Sequence, residues 1–375
     1  MSVSRTYLDH NASSPLRPEA RAAMVAALDV VGNPSSVHAE GRRARAIIEA
    51  AREQVAALVG AQPKNVVFTS GGTEAVNTIV AGGHDCIAVA GIEHECVRRA
   101  ADASRALIED IPVDFDGVIA PQEIARILAE SSGMALVCIQ AANNETGVRQ
   151  DLTTLAEVAH ATDALVFSDA VQAAGKVAID MTGPGPDVIA LSAHKLGGPK
   201  GVGAIVLREG IALERLLHGG GQEQGRRAGT ENVAGIAGFG AAAKAALEEV
   251  GCSTGLAQMR DRVVEGVRAL TPHVCLIGEG AARLPNTALV AWPQAKAETL
   301  VMALDLEGIA VSAGAACSSG KVGRSATLEA MGLAPSIRDS AIRVSLGWST
   351  TEEDIERFLA AWARVSERLE KRRVA

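Results

Sequence analysis

Aromatic side chains are nearly absent: three Trp, one Tyr and five Phe amount to 2% of 375 residues. The core must therefore be built from Ala, Val, Leu and Ile, within an apolar share of 48% that argues against global disorder. A paired-cysteine motif is also missing. The six cysteines, Cys86, Cys96, Cys138, Cys252, Cys275 and Cys317, form no CxxC, so a zinc ribbon or a thioredoxin-like centre gets no support. No run of about eighteen apolar residues offers a membrane span. The opening MSVSRTYLDHNASSP has neither the basic nor the apolar region of a secretory signal. Basic residues number 36 against 44 acidic ones, for a net charge of -8, whereas a nucleic-acid surface wants a clustered basic excess. A soluble cytoplasmic protein, with no membrane and no direct nucleic-acid partner, is expected.

What is present is an alternation of short apolar runs with helical patterns. VVFTS (66–70), CIAVAG (86–91), ALVCIQ (135–140), ALVFSDA (164–170), VIALSAH (188–194) and GAIVLR (203–208) read as strands. Amphipathic stretches such as QEIARILAE and LTTLAEVAHAT lie between them. This pattern predicts an α/β fold around a mostly parallel sheet covered on both faces. Cys86 and Cys138 fall inside such runs and read as small buried hydrophobes. Beyond residue 240 the character changes to a long helical stretch over about 236–270, the strand-like NTALVAW, a helix near 297–307 and a terminal helix capped by Thr350 or Thr351. The predicted division is a large domain over 12–260 and a smaller α+β domain made of 1–11 and 261–375.

Polar segments follow several strands directly, where open α/β sheets bind ligands. SGGTEAVN (70–77) sets two glycines and a Thr at a strand-to-helix turn, which is either an anion site at a helix N-terminus or an ordinary tight turn. SAHKLGGPKGVG (192–203) holds two of only eight lysines. Lys195, at a strand end, is either a solvated charge or a desolvated amine suited to imine chemistry. DAVQAAGK (169–176) places Asp169 either as a helix cap or as the partner of a protonated ring nitrogen. AGAACSSGKVG (313–323) sets the thiol of Cys317 among small, flexible residues, which suits no buried structural role. A phosphate cradle, an imine-forming lysine and an acid for a pyridine nitrogen together describe pyridoxal 5'-phosphate. No GxGxxG opens the first βα unit, so a NAD-binding reading fails.

With GNPSSVHAEGR (32–42), EHECV (93–97), NNETG (143–147), GGGQEQGRRAGTEN (219–232) and SAGAACSSG (312–320), these segments resemble the cysteine desulfurases of the NifS/IscS type. Those belong to the class V aminotransferase group of pyridoxal-phosphate enzymes with fold type I. The similarity runs in register from Tyr7 to the terminal helix. It implies a seven-stranded, mostly parallel sheet in the large domain and a small domain that carries the cysteine loop. It implies that Lys195 binds the cofactor as an imine and moves the substrate α-proton, and that His94 stacks on the ring and serves in acid–base steps. Asp169 would hold the ring nitrogen, with Gln172 and Asn144 near the phenolic oxygen. Gly72, Thr73, Ser192 and His194 would bind the phosphate. Thr230 would reach the phosphate in a partner subunit, implying a homodimer. Arg343 would pair with the substrate carboxylate, assisted by Asn11 and Asn144.

Cys317 would take the sulfur of L-cysteine as a persulfide, leaving alanine, and carry it to an acceptor such as an iron–sulfur scaffold protein. A selenocysteine lyase or another pyridoxal-phosphate β-eliminase is the alternative. One departure from the family pattern is Arg324-Ser325-Ala326, where Pro-Ser-His or Pro-Ser-Tyr is common.

Overall fold

The apolar runs fold as strands, and burial on both faces explains why they are continuous rather than alternating. The computed structural model describes residues 5–250, 253–314 and 324–374; Cys252 and Cys317 lie outside them. In chain order the strands begin with β1 (Thr6–Tyr7), β2 (Val66–Thr69), β3 (Cys86–Ala90), β4 (Leu107–Ile111) and β5 (Ala135–Cys138). They continue with β6 (Leu165–Asp169), β7 (Val188–Ser192), β8 (Gly203–Leu207), β9 (Cys275–Leu276) and β10 (Thr287–Ala291). The last are β11 (Ile309–Ala310), β12 (Ser312–Ala313) and β13 (Ala341–Ser345).

Seven of these form the large sheet in the order β2-β8-β7-β6-β5-β3-β4. It is parallel except for β8, which runs antiparallel to both neighbours. Alternate side chains sort to opposite faces. Val67, Ile87, Val89, Leu136 and Phe167 pack with Ala75, Val76 and Ile79 of the helix Gly72–Val80 and Val97 of Glu95–Asp102. On the other face, Val66, Phe68, Ile189 and Val206 meet the long helices Ala39–Leu58 and Val233–Val250. Ala88, Val137 and Val166 meet Pro121–Glu130 and Leu152–His160. Each fully buried Val, Leu or Ile contributes about 1.5–3 kcal/mol.

The edge strand β4, LIEDI, is not among the expected strands. Its acidic residues and 60% exposed Leu107 suit a charged sheet edge and hide the strand pattern. The long helical stretch is two helices, Val233–Val250 and Ser253–Leu270.

A second, antiparallel sheet has the order β12-β13-β10-β9, and β1 pairs in parallel with β11. Its core gathers Trp292, Phe358, Trp362 and the N-terminal Leu8, and Trp362 Nε1 donates to Thr271 Oγ1 at 2.9 Å. The terminal helix Glu352–Val374 opens with a reciprocal cap between Thr351 and Asp354. No helix among the described residues is long and apolar enough to cross a membrane.

One buried ion pair fixes the segment that leads to Thr230. Glu223 and Gln224 have φ of 47° and 58°, uncommon for residues with a Cβ. Arg52 of Ala39–Leu58 grips Glu223 bidentately at 2.7 and 2.9 Å, and Phe68 N donates to the same carboxylate at 2.9 Å. Farther along, Arg227 pairs with Glu74 at 2.9 Å beside the strand-to-helix turn. Glu223→Ala leaves the buried Arg52 with only the half-exposed Glu49 at 3.1 Å as a charge partner and strands the Phe68 N–H, so a loss of about 3 kcal/mol is expected in urea unfolding. Adding Arg52→Met should recover part of that loss.

Candidate active site

The carboxyl ends of β2, β6 and β7 converge with the start of the chain and β13 on one cavity of about 310 Å³. Asn11, Gly72, Thr73, His94, Asn144, Asp169, Gln172, Ser192, His194, Lys195 and Arg343 all line it. One expected site residue does not line it, and one is not among the described residues. Thr230 is exposed and does not line this cavity, and Cys317 lies outside the described residues.

The anion end is shaped by glycine. Gly71 sits at φ 155°, ψ 176°, a conformation essentially reserved for glycine, and caps the helix Gly72–Val80. A Cβ at Gly203 would lie 2.6 Å from the Gly71 carbonyl carbon, so glycine there lets the turn settle against β8. The first-turn N–H groups lack intrahelical acceptors and carry the positive end of the helix dipole. His194 is pushed down to about 4 by burial and by the charges of Lys195 and Lys200, so its ring is neutral near pH 7. Excess positive potential at this end suits a phosphate dianion.

In the same cavity Asp169 closes β6 and accepts from Val171 N at 2.9 Å. Burial pushes its carboxyl up, while His94 and Lys195 pull it back. His94 caps the helix Glu95–Asp102 by accepting Cys96 N–H at Nδ1, 3.2 Å, so a neutral ring carries its proton on Nε2. Lys195 Nζ donates to the backbone carbonyls of Asn11 at 2.5 Å and Ala12 at 2.9 Å. Anion cradle, amine and carboxylate thus line one cavity, and this donor set fits pyridoxal 5'-phosphate.

Arg343 is buried in the centre of the small sheet. Its Nη2 donates to Asp9 Oδ1 at 2.7 Å and its Nη1 to Asn144 O at 2.9 Å, while Nε is buried with no protein acceptor. An orphaned guanidinium N–H at the cavity wall fits a substrate carboxylate. The amide of Asn11 is held within the protein by Thr287, Asn286, Lys176 and the Asn144 carbonyl.

Sequence reasoning passed over Gln140, which lines the cavity and donates to Ile92 O at 2.6 Å. It passed over Lys176 too, although Gln172 and Lys176 stand four positions apart in DAVQAAGK. Glu145, in NNETG, was also unassigned. Burial raises it to about 7 against the hydrogen bond from Ser325 Oγ (2.7 Å) and the nearby Arg343 charge. The folded chain thus keeps a proton that the unfolded chain releases near 4.5. Stability from this group is present at low pH and declines as pH rises toward about 7, by on the order of 3 kcal/mol. Glu145→Gln is expected to flatten that decline in urea titrations between pH 5 and 8.

Residues 6–358 match the family Aminotransferase class-V. A cysteine desulfurase of Cereibacter sphaeroides is 42% identical over 369 residues, covering 95% of this chain and 94% of the relative. The cysteine desulfurase IscS of Dictyoglomus turgidum is 37% identical, covering 97% and 95%. The crystal structure of a NifS-like protein from Rickettsia africae superposes with a TM-score of 0.90 at 32% identity, covering 97% of this chain and all of that one. The sheet order, the cavity and these likenesses agree, and the chain belongs to the class-V aminotransferase family of pyridoxal-phosphate enzymes.

Proposed function

We propose that this protein is a cysteine desulfurase that converts L-cysteine to L-alanine and takes the sulfur onto Cys317 as a persulfide. The observation that carries this reading is the convergence of Lys195, Asp169, His94 and Arg343 on one cavity. The exchange balances without an outside oxidant. The substrate C–S bond breaks, the sulfur bonds to Cys317 Sγ, and the released carbon takes up hydrogen to become the methyl of alanine. Pyridoxal 5'-phosphate, held by Lys195, Asp169 and the 71–73 turn, supplies the electron sink that makes the α-proton removable.

The chain's own residues do the rest. Arg343, oriented by Asp9 and the Asn144 carbonyl, receives the substrate carboxylate and so fixes which α-bond faces Lys195. Lys195 Nζ, held by two backbone carbonyls, takes and returns the α-proton. His94 presents Nε2–H to the developing charge, with its ring set by the cap to Cys96. Cys317 acts as a thiolate, the nucleophilic form of a thiol.

Residues 12–260 serve as the cofactor domain, and 1–11 with 261–375 as the domain bearing the cysteine. The exposed Thr230 completes the phosphate site of a second copy, making the working unit a homodimer. The sulfur acceptor is an iron–sulfur scaffold protein, and the setting is the cytoplasm. A selenocysteine lyase is the less favoured reading, since the matched relatives carry desulfurase names. Incubation of the cofactor-loaded protein with L-cysteine and a thiol reductant tests the proposal. Equal amounts of alanine and sulfide are expected, and pyruvate with ammonia in place of alanine would favour simple elimination.

A further inference from the structure

Lys176 has no place in the chemistry above, yet its amine sits beside the residues that hold Lys195. Its Nζ lies 2.8 Å from Gln172 Oε1 and 3.1 Å from Asn11 Oδ1. Among the described residues no carboxylate forms an ion pair with it. The charged groups facing it are Lys195, after β7, and Arg343, on β13, while His10, near the N-terminus, feels its charge. Burial and these cations push the Lys176 ammonium well below the ordinary lysine range. An amine kept in such surroundings needs a reason beyond solvation.

The hydrogen-bond pattern supplies one. Gln172 Nε2 donates to the backbone carbonyl of Asn11 at 3.0 Å, the same oxygen that accepts from Lys195 Nζ. That carbonyl can only accept. Lys176, donating on the other side, demands the oxygen of the Gln172 amide. Reversing the amide would set oxygen against oxygen and N–H against a nitrogen that is donating, so only one orientation is consistent. Lys176 also grips the Asn11 side chain, whose Oδ1 it shares with Asn286 Nδ2 at 3.0 Å. Lys176 thus bears on Asn11 directly at Oδ1 and, through Gln172, at the carbonyl that seats Lys195.

We propose that Lys176 is a positioning residue that locks the Gln172 amide with its N–H edge toward the cavity, and thereby sets the proton affinity of the Lys195 nitrogen once it carries the cofactor. This rests on the pyridoxal-phosphate reading of the cavity. With its amide locked, Gln172 can donate to the phenolic oxygen that otherwise shares the imine proton, which lowers the affinity of that nitrogen for the proton. Without Lys176 only the Asn11 carbonyl orients the amide, so the reversed state becomes easier to reach and the proton is held more tightly.

The test is a pH titration of the visible absorbance of protein loaded with pyridoxal 5'-phosphate. Lys176→Met should raise the apparent pKa of the imine by about 0.5 unit or more. Lys176→Gln, whose amide N–H can still donate to Gln172 Oε1, should give a smaller rise and serves if the Met variant does not fold. In a Gln172→Leu background the shift caused by Lys176→Met should shrink to less than half. An imine pKa unchanged in both Lys176 variants overturns the proposal, and so does an equal shift in the Gln172→Leu background. If the unaltered protein forms no imine band on reconstitution, the cofactor reading itself fails, which is a distinct result.

Discussion

Protein carrying Lys195→Ala is expected to emerge colourless after reconstitution, without an imine band, and to lose L-cysteine turnover. One nitrogen is asked to do two things: to hold the cofactor covalently and to move the α-proton. Loss of the proton-transfer role alone removes about 10²–10⁴-fold in rate, and loss of covalent attachment adds to that. The effect on folding should be small by comparison, since the seat of the amine is made of the backbone carbonyls of Asn11 and Ala12. A melting curve close to the parent protein, with absorbance and alanine production lost, is the expected combination. A retained visible band in this variant would place the imine on another lysine.

The second large effect belongs to Arg343. Removing it takes away the orphaned Nε and the guanidinium face that the substrate carboxylate would meet. It also strips the cation from Asp9, which additionally accepts from Ser312 Oγ at 2.8 Å. Charge-assisted hydrogen bonds are worth about 1.5–3 kcal/mol each, so Arg343→Ala should lower kcat/KM for cysteine by about 10²–10³-fold. Most of it should appear in KM, because the carboxylate is held alike in ground and transition states. Loss of a buried charge partner should also cost about 3–5 kcal/mol of stability. Arg343→Lys should restore stability better than affinity, because a single ammonium cannot reproduce the planar fork. Steady-state kinetics and urea unfolding on the same preparations separate the two effects.

Much of this molecule could be read before folding it. The doubly covered strands announce themselves as unbroken apolar runs, and Asp169, Ser192 and the 71–73 turn follow them directly. β4 escaped because a sheet edge tolerates the acidic residues that disguise it. The antiparallel sense of β8 escaped because periodicity carries no direction. Within the site, residues adjacent to strand ends were legible, and those defined by long-range pairing were not. Arg52 finds Glu223 across 171 positions, and Asn286 meets Asn11 across 275. Lys176 was visible as a letter beside Gln172, but its use depends on the Asn11 carbonyl supplied from the start of the chain.

The central claim is that sulfur leaves L-cysteine by transfer to Cys317, and mass analysis of the Cys317 peptide tests it most directly. After a brief exposure of the loaded enzyme to L-cysteine without reductant, that peptide should gain one sulfur atom. Alanine should form in matching amount, and Cys317→Ala should yield neither. Undiminished alanine production by Cys317→Ala, or a Cys317 peptide of unchanged mass, would contradict the account.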